Sequence, residues 1–163
     1  MPEANRQAPA RTENGDGSVV SGHRIGELLA MLDAHRVGVL ATLRADGEPH
    51  AAVMHFSVVR ERQELLFSTD RNSVKVSGIA QHPRAAFASG WSEEEWKTFQ
   101  VRGRIRVAAD AELPAAHACH YAKHPQSAAF KDDPNTVFLI LTADWIRYSD
   151  LGTLPEQIEE VEL

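Results

Sequence analysis

The stretch Ser68-Thr69-Asp70-Arg71-Asn72-Ser73-Val74-Lys75 concentrates the groups that hold an oxyanion. Two hydroxyls close an apolar, strand-like run, Ser73 stands where a helix is expected to begin, and a lysine falls in its first turn. Free N–H groups at a helix start, together with hydroxyls and an ammonium, form a site for a phosphoryl group. A lysine at that position opposes the helix dipole, so its presence points to an anion that it faces. The same residues also read as a simple cap at Ser73 followed by a solvated lysine.

Other residues invite weaker chemistry. His50 and His55 are candidate acid/base groups, read as alternating onto one face of a shared strand. His117, His120 and His124 recur at helical spacing beside Cys119, a pattern that suggests metal binding but lacks the ligand set of a firm zinc motif. They are read as an ordinary polar helix face, with no metal expected. Trp91, Trp96 and Trp145 are available for stacking on a ring or for packing, and Glu93-Glu94-Glu95 reads as a solvated loop.

The elements that must position these groups follow from periodicity. Residues 1–18 have no hydrophobic period and read as a disordered tail, leaving 19–163 as one domain. Ile25, Leu28, Leu29 and Leu32 form a helical stripe after Ser21, a candidate N-cap, and this helix is expected to end near His35. Strands are expected over Val37–Leu43, His50–Val59 and Glu64–Thr69, with Asp46-Gly47 and Arg60–Gln63 as turns. A helix is expected over Ser73–Gln81, stopped by His82-Pro83. Further strands are read at Arg84–Ser89 and Thr98–Ala108, the latter with Val101, Gly103, Ile105 and Val107 on one face. A helix over Glu112–Tyr121 and a closing strand pair, Val137–Thr142 and Trp145–Tyr148 around Ala143-Asp144, complete the list. Six or seven strands with three short helices predict a mainly β, antiparallel barrel.

Composition narrows the function. A net charge of −6 supplies no basic field for a nucleic-acid backbone. The single cysteine, Cys119, rules out an intramolecular disulfide and suits a reducing compartment. No apolar run approaches the roughly 20 residues that span a bilayer, and Met1–Gly17 has no apolar core of a secretory signal. A cytoplasmic protein without nucleic-acid or membrane partners is expected.

From Ala41 onward the sequence resembles the pyridoxamine 5′-phosphate oxidase-like, FMN-binding split-barrel superfamily. The resemblance rests on Ala41-Thr42, Gly47-Glu48-Pro49, the strand from His50, Leu66-Phe67-Ser68-Thr69 and Ser73-x-Lys75. It continues through His82-Pro83-Arg84-Ala85, Trp91, Gln100-Val101-Arg102-Gly103 and Trp145-Ile146-Arg147-Tyr148. It implies a split barrel that dimerises with itself and binds FMN at the interface. By position Val53, Met54 and His55 would line the flavin ring, Ser68 and Thr69 the ribityl-phosphate end, and Ser73 and Lys75 the phosphate. Gln100 would reach the cofactor from the partner chain, and Trp145 is a further candidate for the ring.

The departures are as informative as the matches. Ala52, Ser57 and Val74 stand where the oxidases carry cations, and charge-assisted phosphate contacts are worth about 1.5–3 kcal/mol each. The C-terminal arginine–histidine motif that holds pyridoxal phosphate is missing, so the chain reads as a small bacterial relative and not as the vitamin B6 enzyme. A flavin-dependent oxidoreductase of unassigned small-molecule substrate is the leading expectation. An F420-dependent reductase of the same fold and a non-catalytic flavin- or haem-binding protein are the alternatives.

Overall fold

A computed structural model describes residues 22–90, 92 and 94–163. The tail expected over 1–18, the capping role of Ser21, Trp91 and Glu93 lie outside the described residues.

Helix α1 spans Gly22–Asp33 and buries Leu28, Leu29 and Leu32, the stripe that its spacing demands. Strands β1 (Val37–Leu43) and β2 (Pro49–His55) form a hairpin. Its turn is closed by the Gly47 N–H donating to the Arg44 carbonyl at 2.9 Å. Gly47 has φ of 85°, a conformation that a side chain would strain.

The single strand expected over His50–Val59 is two strands. After β2 the chain breaks at Phe56, and β3 (Ser57–Val59) leaves the β1 partner to pair with β4 (Glu64–Asp70). The break seats Phe56 in the core against Phe87, with ring centroids 4.7 Å apart. The interruption lets β3 leave the β1 ladder and join β4 while Phe56 stays in the core. The helix expected over Ser73–Gln81 shrinks to one turn, α2 (Val74–Ser77), and Ser73 makes no side-chain cap.

Strands β5 (Arg84–Gly90) and β6 (Lys97–Val107) follow the predicted alternation. Val101, Gly103 and Ile105 are buried, whereas Val107, at the strand end, is 39% exposed. Helix α3 spans Leu113–Lys123. The expected closing pair is one strand, β7 (Thr136–Asp150). Arg102 faces Trp145 and Gly103 faces Ala143, so Asp144 is the extra residue of a β-bulge and not part of a turn. The close approach is possible because Gly103 has no Cβ, which would collide with the Thr142 carbonyl. The Asp144 carboxylate accepts hydrogen bonds from Arg84. Strand β8 (Gln157–Glu162), absent from the sequence expectation, pairs with β7.

The result is an eight-stranded antiparallel sheet in the order β2-β1-β5-β6-β7-β4-β3, with β8 beside the second half of β7. It curls into a half-barrel around Leu40, Phe56, Phe67, Phe87, Phe99, Leu139, Leu141 and the leucines of α1. A second apolar cluster, Leu66, Ala116, Phe138 and Ile140, lies on the outer side under α3. Where the curl does not close, β2 comes back alongside β4.

Candidate functional site

That gap is a cavity of about 420 Å³, within the usual range of small-ligand sites. One wall is β2, with Val53, Met54 and His55; the facing wall is the end of β4, with Ser68, Thr69 and Asp70. The third wall is His120 from α3, Ser127 and Phe130 from the turn after it, and Asp133 and Thr136 before and at the start of β7. Five of the expected cofactor-binding residues (Val53, Met54, His55, Ser68 and Thr69) are therefore brought together from two strands.

Ser73 and Lys75 join through Thr69. The Lys75 ammonium donates to Thr69 Oγ1 at 3.0 Å, and the Ser73 hydroxyl lies 3.3 Å from the same oxygen. Asp70 turns its own Oδ1 to the Asn72 N–H at 2.6 Å, which shapes the bend out of β4. Burial pushes the Lys75 ammonium below its usual value, while the Asp70 charge opposes that shift. A single-turn α2 contributes little dipole; what this corner could offer an anion is two hydroxyls and one ammonium.

Gln100 and Trp145 do not reach this cavity. Across the sheet, Val53, Val39, Ala88 and Gln100 stand in one register row on the outer face. Three strand steps put Gln100 roughly 14 Å from Val53 in the same chain. Trp145 sits on β7 opposite Arg102, whose guanidinium lies 4.5 Å from the indole centroid and pairs with Glu162 at 3.2 Å. His50 and His55 are five residues apart and occupy opposite strand faces, His50 half-buried and His55 exposed at the cavity. The shared face expected for them is therefore corrected by simple parity.

The residue that the site reading missed is His120. It is 1% exposed, lines the cavity, and has its Nδ1 3.1 Å from the Ser57 hydroxyl. One turn on, His124 Nε2 donates to the Phe56 carbonyl at 2.7 Å. The His124 ring lies 4.8 Å, centroid to centroid, from both His55 and His120. Burial pushes His120 down to about 4 and lowers His124 as well, so both imidazoles are neutral at ordinary pH. These rings pin α3 onto the break at Phe56, aided by Lys123, which pairs with Asp33 at 2.7 Å. His117 faces Tyr121 and Phe138 instead. Among the described residues, no three potential ligands are grouped to hold a metal ion. Helical spacing put His120 and His124 on one face, but only the packing of α3 aims that face at the gap.

No curated protein matches the chain. Its fold is similar to that of a haem-binding protein from Mycobacterium smegmatis at 20% identity and TM-score 0.69, covering 87% of this chain and 58% of that one. The chain thus spans under two thirds of that protein's length. The General Stress Protein 26 of Bacillus anthracis is 25% identical over 86% of this chain and 99% of its own, with TM-score 0.66. A pyridoxamine 5′-phosphate oxidase-related, FMN-binding protein of Nostoc punctiforme is 19% identical, with 97% and 98% coverage and TM-score 0.60. The family model described as pyridoxamine 5′-phosphate oxidase matches residues 25–150, and with the half-barrel and its open seam this places the chain in the pyridoxamine 5′-phosphate oxidase family.

Proposed function

We propose that the chain binds FMN in the cavity between β2 and β4 and acts, as a homodimer, as a flavin-dependent oxidoreductase on a small molecule. The observation that carries this reading is the hydroxyl–ammonium network of Thr69, Ser73 and Lys75 at the end of a cavity walled by Val53, Met54 and His55. The network would hold the phosphate, and the β2 backbone would lie along the ring. FMN, when bound, supplies hydride or electron transfer, while the chain binds, orients and excludes water. Family membership favours FMN, and a relative of similar fold binds it.

The dimer is supported by the sheet's bare face. Val37, Val39 and Val53 are 47%, 40% and 74% exposed there, beside Ala51, Ala86 and Ala88. A second copy covering that apolar face would bury Val53 beside the cavity and carry its own Gln100 and Trp145 toward the ring. Cys119, a free half-buried thiol, fits a cytoplasmic setting. Among the described residues no helix is long and apolar enough to cross a membrane.

Absorbance of the purified protein tests the reading: a band near ~450 nm with fluorescence released on denaturation is expected. A Soret band would assign haem instead, and uptake of F420 without FMN would assign the deazaflavin. Lys75→Ala should lower FMN affinity at least several-fold; an unchanged dissociation constant would refute the phosphate assignment.

A further inference from the structure

The flavin reading leaves His120 without a task, although it is the most deeply buried polar side chain on the cavity wall. Ser57 behind it is also 1% exposed, and its hydroxyl has no other partner among the described residues. The imidazole is neutral, so one ring nitrogen donates and the other accepts. Were Nδ1 the donor, the Ser57 hydroxyl proton would be left buried and unmatched. An orphaned donor costs more than a spare lone pair. The cheaper arrangement has the Ser57 O–H donating to His120 Nδ1. The ring proton then sits on Nε2, the nitrogen without a protein partner, on a residue that lines the cavity.

We propose that His120, locked by Ser57, donates its Nε2–H to a ring carbonyl oxygen of the cavity's occupant. This deepens the flavin reading and rests on it. The acceptor is a carbonyl of the flavin's own pyrimidine ring or of a planar carbonyl compound bound against the flavin. An uncharged donor orients such an oxygen without attracting a second anion, which distinguishes this wall from the Lys75 corner. Phe130, 59% exposed at the same wall, offers a ring against which a planar occupant can lie.

The test titrates FMN into wild type, His120→Gln, His120→Ala and Ser57→Ala, following flavin fluorescence. It then titrates 1,4-naphthoquinone into the FMN-loaded proteins. One lost hydrogen bond predicts affinity about tenfold weaker in His120→Ala and about threefold weaker in Ser57→Ala, with His120→Gln restoring most of it. Far-UV circular dichroism of each variant separates misfolding from a lost contact. Weaker FMN binding assigns the flavin carbonyl; weaker naphthoquinone binding alone assigns the second ligand. Folded His120→Ala and Ser57→Ala that bind both probes as wild type does overturn this inference and leave the flavin reading standing. Wild-type protein that takes up neither probe overturns both.

Discussion

The outer side of β4 and of the first half of β7 lies under α3, where Leu66, Phe138 and Ile140 are each 1% exposed. The outer side of β1 and β2 leaves Val37, Val39 and Val53 open. Both regions obey strand alternation, and both present apolar side chains outward. One face is covered by α3, and the other is uncovered among the described residues. An uncovered, flat, apolar patch on a sheet is a binding surface or an aggregation hazard. The difference therefore separates a face that holds the fold together from one that is available for binding.

Four measurements break or sharpen that contrast. The largest effect is expected in the covered half, where Phe138→Ala should cost about 3–5 kcal/mol of folding stability by opening a cavity under α3. Chemical denaturation measures it, and a loss below 1 kcal/mol would mean that α3 is not a fixed cover.

The next effect is set by pH. His120 is held near 4 in the folded chain against an unfolded value near ~6.5. The unfolded state therefore binds the extra proton first. Stability is full above pH ~6.5 and falls as the pH drops toward 4, by up to about 3 kcal/mol for this group, with His124 adding in the same direction. His120→Gln should flatten the profile; an equally steep acid loss in that variant would place its origin elsewhere.

On the bare face the expectation reverses. Val39→Lys combined with Val53→Lys should change the stability of the single subunit by no more than about 0.5 kcal/mol. Sedimentation should nevertheless report a monomer, and FMN binding should be lost. A variant that remains dimeric would remove this face from the interface. Gln100→Ala is the mildest probe, with an FMN affinity loss of only about threefold and no change in folding.

Much of the fold was legible in advance because the signals were local. The leucine spacing of α1, the Asp46-Gly47 turn and the alternation of β5 and β6 each act within a few residues. The failures have physical causes of longer range. The break at Phe56 is a change of strand partner, and Asp144 looks like a turn residue until Gly103 across the ladder lets it bulge. Ser73 satisfies a capping pattern, yet its hydroxyl turns to Thr69. Strand β8 is held by its ladder with β7 and carries ion pairs from Arg24 to Glu159 and from Arg147 to Glu160, none of which a local period announces.

The same division runs through the site. Residue order alone determined that hydroxyls and an ammonium gather between Ser68 and Lys75, because they are close along the chain and a strand end must turn there. Only the tertiary structure decided that β2 faces them across a gap, that α3 aims His120 into it, and that Gln100 stands away from the cavity of its own chain. Curling a sheet into an unclosed barrel sets distances between strands remote in sequence, and pairing and packing, not local preference, determine that curl.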